Sequence, residues 1–308
     1  MPYLSVSVVI PTRNRPDLVV RAAHSALAQT QQGIEVIVVI DGPDPDTRAR
    51  LQQISDPRLR VHELPESRGG ANARNVGVQL AGGDWVAFLD DDDEWMPEKL
   101  RKQIIKGERT RADIVASRLI FRSPRGDEVW PRRLYEPGQS AGDYLLNRRG
   151  LAMGETLLQT STLLVRREHL LAQPFRALPR HQDWDWIIEA VDVRGRTLVV
   201  HPEPLAVWNV GAHESVSTSK NPEPSWNWLH ARRKVLSRAA QSGFLVIQIA
   251  PLYGEKQPRE VLAQIVRELV ALRASPRRWV QLLAMWFVPQ SRRQQLRAAL
   301  RRSGTTSP

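Results

Sequence analysis

The chain has 308 residues, with 44 Lys plus Arg against 33 Asp plus Glu, a formal net charge of +11. Its 42% hydrophobic and 25% charged residues are ordinary for a globular protein, which sets aside collagen-like, coiled-coil and wholly disordered classes; the length suffices for a large domain plus an appendage. Cysteine is absent, so a disulfide framework, a thiolate zinc site and a cysteine nucleophile are excluded.

The charge is unevenly placed. From Ser225 onward there are 15 basic residues and three acids, a net +12, whereas residues 1–224 hold 29 basic and 30 acidic residues, a net −1. A neutral body with no recognition motif gives no expectation of nucleic-acid binding. Met1 to Val9 lacks a signal-peptide pattern, and the longest apolar stretch, Trp279 to Val288, falls short of the roughly 18 residues that a spanning helix needs. A cytoplasmic protein is expected.

In chain order, Ser5 to Ile10 is an apolar run and reads as a strand. Pro16 then opens a helix with Leu18, Val19, Ala22, Ala23, Ala26 and Leu27 on its buried side. Strands follow at Ile34 to Ile40, Leu59 to Leu64 and Trp85 to Leu89, with helices near Asp46 to Ile54 and Ala71 to Ala81. This β-α-β-α-β-α-β order implies a parallel sheet with helices on both faces, because each parallel return needs a crossover. Ligands collect at the carboxyl ends of such strands. Thr12, Arg13, Asn14, Asp41, Arg68 and the run Asp90 to Asp93 all fall there.

Further on, Ile114 to Arg122, Thr160 to Val165 and Thr197 to His201 read as strands and Trp184 to Val193 as a helix. The segment Asn221-Pro222-Glu223-Pro224 reads as a linker, which gives a first domain over residues 1–222 and a helical extension over 223–308, divided by Pro251, Pro258, Pro276 and Pro289.

Four consecutive aspartates repel one another unless a cation sits among them, and their hard oxygens suit Mg²⁺ or Mn²⁺ bridging to phosphate. A solvated acidic turn capping the next helix is the structural alternative. The chain has no Gly-x-Gly-x-x-Gly after its first strand and no P-loop, so the dinucleotide and P-loop readings lack a phosphate cradle.

The segments Ser5 to Arg15, Glu35 to Gly42, Arg68 to Gly77 and Ala87 to Asp93, followed by Gln182-Asp183-Trp184-Asp185, together resemble the GT-A family 2 glycosyltransferases in order and spacing over roughly residues 4–220. The resemblance implies a GT-A-type, Rossmann-like α/β fold with a mostly parallel sheet. It implies an enzyme that moves a sugar, with inversion, from a nucleotide-diphosphate-sugar donor to a glycan or lipid-linked acceptor, with one Mg²⁺ or Mn²⁺. Carried over by position, Pro11, Thr12, Arg13, Asp41, Arg68, Arg74, Asp90 and Asp91 bind the donor; Asp90 and Asp92 form the D-x-D pair, with Asp92 the direct metal ligand and His213 a further candidate. Asp183 becomes the base, in competition with a helix-capping role and with Asp185 as the fallback base, and Trp184 and Asp185 face the acceptor. Gln182 stands where the family has Glu, and Asp41 stands alone where the family commonly has two acids. A non-catalytic module that binds nucleotide-sugar or glycan is the competing class.

Of Trp184, Trp186, Trp208, Trp226 and Trp228, two or three are expected to be simply buried. The helix of 259–273 is expected to pack an apolar face on the catalytic domain. Arg277 to Val288 is apolar nearly all round with arginines on both flanks, a pattern suited to the inner face of a cytoplasmic membrane.

Overall fold

The computed structural model describes residues 5–151, 153–210, 221–253 and 258–288. The chain forms two compact units, one of Met1–Ala141 and Thr156–Glu214, the other of Gly142–Glu155 and Ser215–Pro308. Gly142–Glu155, far ahead of the expected boundary at 222, groups with the C-terminal helices.

The first unit is built on a sheet. Strand β1 (Val6–Thr12) is buried along its whole length and β2 (Ile34–Ile40) at every position but Glu35, so both need cover on two faces. They pair in parallel with each other, β2 with β3 (Leu59–Glu63), and β1 with β4 (Trp85–Phe88), giving the order β3-β2-β1-β4. Helix α1 (Pro16–Leu27), with proline at its first turn, buries Val19, Ala22, Ala23, Ala26 and Leu27; the three alanines bring it close to the sheet. Helix α2 (Pro45–Leu51) is capped by Asp44, whose side chain accepts from the Thr47 N–H. Helix α3 (Gly70–Leu80) lies so close to β1 that a Cβ on Gly77 would come within 2.3 Å of a Val9 methyl, which explains the glycine. Since the chain runs from β1 to one side and returns through β4 on the other, the crevice between their carboxyl ends is the switch point of the sheet.

Beyond β4 the pairing is mixed. β5 (Glu94–Trp95) precedes helix α4 (Lys99–Thr110), and β6 (Ile114–Ser123) pairs antiparallel with β7 (Gly126–Trp130). After α5 (Ala141–Leu146), β8 (Leu164–Arg166) inserts antiparallel between β4 and β6, and α6 (Arg167–Ala172) and α7 (Gln182–Ile188) follow. β9 (Leu198–Asn209) runs parallel to β6 and continues well past the expected His201, with Pro202 and Glu203 bulged out of the ladder where the register shifts. Of the expected strand over Thr160 to Val165, Leu164 and Val165 do lie in β8, but Thr160–Thr162 is a tight 3₁₀ turn ahead of it, where the Gln159 side chain accepts from the Ser161 N–H. The expected helix over Trp184 to Val193 starts two residues earlier and ends in a π turn, Glu189–Val193.

On α4, Lys99 is fully buried. Its ammonium lies 4.1 Å from the centre of the Trp95 ring and donates to Gln103 Oε1 at 2.6 Å. Gln103 in turn donates to the carbonyls of Val115 (3.0 Å) and Thr162 (2.8 Å), and burial pushes the Lys99 pKa well down.

The second unit is helical: α8 (Glu223–Arg232), α9 (Arg238–Phe244, running on into a π turn and a 3₁₀ turn to Tyr253), α10 (Arg259–Ala271) and α11 (Pro276–Phe287). Trp228 packs on Phe244 at 4.8 Å between ring centres, and Ile265, Leu269, Leu282 and Trp286 are buried. A Cβ on Gly243 would meet the Leu146 carbonyl at 2.1 Å, so the glycine lets α9 pass against the 142–155 segment. The same segment is held from α11 by the buried Arg278, whose guanidinium donates to the Arg148 carbonyl at 3.0 Å and to Asn147. Trp186, Trp226 and Trp228 are buried while Trp184 and Trp208 are half-buried, within the expectation of two or three buried among the five.

α11 is two-sided rather than apolar all round. Arg278, Gln281, Leu282 and Trp286 face inward, whereas Val280, Leu283 and Phe287 are 66, 57 and 58% exposed. No helix among the described residues is long and apolar enough to cross a membrane.

Candidate active site

The aspartates after β4 divide by direction. Asp93 turns inward, where Oδ2 accepts from Ser161 Oγ (2.6 Å) and Gln159 Nε2 (2.8 Å). Asp91 is also buried; it accepts from Thr12 Oγ1 at 2.8 Å, across the switch point, and from Arg15 Nη1 at 2.8 Å. Asp90 and Asp92 remain half-buried at the crevice. Asp90 pairs with Arg74 Nη2 at 2.6 Å and Asp92 with Arg15 Nη1 at 3.2 Å. The Asp92 carbonyl accepts from Asn209 Nδ2 and Arg21 Nη2, both at 2.9 Å, so its backbone is fixed by β9 and α1.

Burial, reinforced by the charges of Asp90 and Asp91, pushes the Asp92 carboxyl up to about 6. Burial also raises Asp91, against the pull of Arg15, and raises Asp93 well above the ordinary range. Asp90 and Asp92 are therefore the two carboxyls left at the crevice, beside Arg74 and Arg15. Among the described residues no three Asp, Glu or His side chains converge on one point. Two hard carboxyl oxygen donors at this edge would suit a divalent cation that drew the rest of its coordination from phosphate oxygens and water. Asp90 and Asp92 would be the residues to hold it; His213 lies outside the described residues.

Arg74 joins this cluster to α7. Its Nη1 donates to Gln182 Oε1 at 3.1 Å while its Nη2 holds Asp90. Gln182 also donates to the Leu178 carbonyl at 2.6 Å, a bond that a glutamate could not make, which accounts for the amide at this position. Asp183 is half-buried beside it and accepts from the Trp184 N–H at 2.9 Å. The helix-capping position is taken by His181, in the left-handed region at φ 62°, so Asp183 is not the cap. Burial, with the negative charge of Asp90 and against the pull of Arg74, raises the Asp183 carboxyl to about 6.

Trp184 stacks on the His181 ring at 5.2 Å between centres, and burial together with Arg180 depresses His181 to about 3, so its imidazole is neutral. Asp185, two residues along the same helix, turns away from Asp183. It lines a cavity of about 260 Å³ with Gln173, Arg176, Glu189 and Arg194, where Arg176 Nε is 3.8 Å away.

A second group forms at the ends of β1 and β2. Asp41 is buried and wholly engaged with the loop before α3: Oδ2 accepts from Ser67 Oγ (2.7 Å) and the Gly69 N–H (2.9 Å), and Oδ1 from the Arg68 N–H (2.9 Å). Next to it, Gly42 has φ 101° and its Cβ would meet Ser67 N at 2.9 Å, so this contact requires glycine. Arg13 is exposed and bonds Ser67 Oγ; the Arg68 side chain points outward onto Glu66; Pro11 is buried in β1. Asp44 accepts from the Asn14 N–H at 2.6 Å and so fixes the loop after β1.

Sequence reasoning left out Arg15, Asp44, Gln159, Ser161 and Asn209. Arg15 and Asp44 each precede a proline that opens a helix, a readable sign of a residue at a strand-end loop. The other three act from 66 to 117 residues away in the chain, and no local pattern marks them.

Residues 7–171 match the family model described as Glycosyl transferase family 2. The amylovoran biosynthesis glycosyltransferase AmsB of Erwinia amylovora is 31% identical over 251 residues, covering 77% of this chain and 81% of that protein. The Escherichia coli protein WfaP, named a UDP-Glc:alpha-D-GlcNAc-diphosphoundecaprenol beta-1,3-glucosyltransferase, is 36% identical over 99 residues, which are 32% of this chain and 39% of that protein. Among solved structures, TarS 1–349 of S. aureus in complex with UDP-GlcNAc superposes with a TM-score of 0.59 at 18% identity, covering 91% of this chain and 79% of that one, a likeness of fold. The GT-A sheet, the aspartate run at its switch point and a family match over more than half the length have one consequence: the chain belongs to glycosyl transferase family 2 and is a glycosyltransferase.

Proposed function

We propose that this glycosyltransferase moves a sugar from a nucleotide-diphosphate-sugar to a hydroxyl of a glycan or lipid-linked acceptor in cell-envelope or exopolysaccharide synthesis, with inversion and with Mg²⁺ or Mn²⁺. The observation that carries this reading is the Arg74 bridge, which ties Asp90 of the aspartate run to the helix of Asp183. The acceptor surface is assigned to Trp184, with Asp185 on the far side of the same helix.

In a single displacement the ionised Asp183 takes the proton of the acceptor hydroxyl as its oxygen attacks the anomeric carbon. The bond to the β-phosphate oxygen breaks with its electron pair going to the diphosphate. A bound dication supplies charge neutralisation for that leaving group. Arg74 and Arg15 add fixed positive charge at the same edge. Asp41 fixes the loop of Ser67 to Gly69 that borders the nucleotide, with Pro11, Thr12 and Arg13 opposite. The UDP-Glc donor and diphosphoundecaprenol-linked acceptor named for WfaP support a nucleotide-diphosphate-sugar donor and a lipid-linked acceptor.

Melting the full chain with UDP-, GDP-, dTDP- and CMP-sugars, with Mn²⁺ or Mg²⁺ and then with chelator, tests this reading. One nucleotide class is expected to raise the melting point with metal and lose its effect with chelator, since a ligand at about 100 times its Kd adds about 2.7 kcal/mol to the native state. No shift with any donor overturns it in favour of a non-catalytic glycan-binding module, and a shift without sugar transfer overturns it in favour of one that binds nucleotide-sugar.

A further inference from the structure

α11 presents a surface that the transfer reaction does not use. Val280, Leu283 and Phe287 recur at spacings of three and four residues and so share one face of the helix, each more than half exposed. The opposite face is anchored by Leu282, Trp286 and the buried Arg278, so the outward stripe is fixed in place. The sequence from 269 to 308 contains eight arginines and no Asp or Glu, and among the described residues Arg273 and Arg277, just before and at the start of α11, are exposed.

We infer that this stripe is a lipid-docking surface that seats α11 in the plane of an anionic bilayer. The inference rests on the reading that the acceptor lies at a membrane, and it names the residues that meet the lipid. With 12 residues α11 is about 18 Å long, too short to span a bilayer, and a short helix with an apolar face and basic surroundings lies along the headgroup boundary. A second copy of the chain is a poor occupant, since it would bring the same uncompensated arginines against the first. Anionic headgroups complement that charge.

The test is flotation of the full chain with phosphatidylcholine vesicles, with and without phosphatidylglycerol, alongside the triple variant Val280→Ser, Leu283→Ser, Phe287→Ser and the charge variant Arg273→Gln, Arg292→Gln, Arg293→Gln. The wild type is expected to float only with phosphatidylglycerol. The triple variant should bind about tenfold or more weakly at any salt, because it loses apolar burial. The charge variant should lose binding chiefly in its salt-sensitive part. All three changes in the triple variant are at exposed positions, and equal melting temperatures show that its fold is intact. Equal binding by wild type and triple variant, or no binding by the wild type, overturns the inference. A wild type that self-associates without lipid, and whose triple variant is monomeric, overturns it in favour of a second copy. Donor-induced melting shifts in the same proteins report on the transferase site alone, so failure of that reading is seen separately.

Discussion

Asp183→Asn is expected to lower sugar transfer by about 10²- to 10⁴-fold, the usual contribution of a positioned base, while leaving donor-induced stabilisation in place. The fall should be in kcat, because the acceptor proton moves in the transition state and the donor does not depend on this carboxyl. Stability should move the opposite way. With its native pKa raised to about 6, the carboxylate is harder to ionise in the fold than in the unfolded chain. The native state therefore binds more protons between about pH 4 and 6 and loses stability as pH rises through that window. At pH 8 the amide removes that burden, so the variant should melt at or above the wild-type temperature. In the wild type at saturating metal, which holds Asp92 ionised, kcat should decline as pH falls through about 6, and this acid limb should vanish in the residual activity of the variant. An unchanged kcat in Asp183→Asn, or an unchanged acid limb, removes Asp183 from the role of base.

Asp92→Ala is expected to cost about 10³-fold in transfer, the equivalent of several kcal/mol of lost charge stabilisation at the leaving group. It should also abolish the metal dependence of donor binding, read by calorimetry with and without Mn²⁺, and Asp90→Ala should behave similarly. Asp93→Ala provides the contrast. Its carboxyl is spent on Ser161 and Gln159, so its loss should lower the melting temperature while the remaining activity keeps its sensitivity to chelator. If Asp92→Ala and Asp93→Ala gave the same profile, the alternation of roles along the aspartate run would be wrong.

That alternation also shows what the sequence could and could not convey. The parallel half of the sheet was legible because β1, β2 and β4 are continuous apolar runs separated by helix-length connections, and the site followed from the carboxyl ends of those strands. Asp90 and Asp92 were singled out, but which aspartates turn inward depends on Ser161, Gln159 and Thr12, contacts made through the tertiary fold. Over Thr160 to Val165 the strand expectation holds only for Leu164 and Val165, because the β-branched composition of the first half hides a turn stabilised by one glutamine side chain. β5 is two residues long and takes its pairing from β9, more than 100 residues on, whereas β7 is a short hairpin return onto β6, so periodicity had little to act on in either. In the tail, composition gave the apolar and basic character of α11 but not its sidedness, which is decided by the anchoring of Arg278 and Trp286.

The sealed position of Lys99 has a use of its own. An amine under the Trp95 ring, with no exposed surface and held by Gln103, is beyond the reach of acylating reagents until α4 lifts from β6. Mass-spectrometric acylation of Lys99 in native buffer would thus act as a clock for opening of the core behind the aspartate loop. Donor and metal should slow that clock, giving a readout of occupancy that requires no turnover.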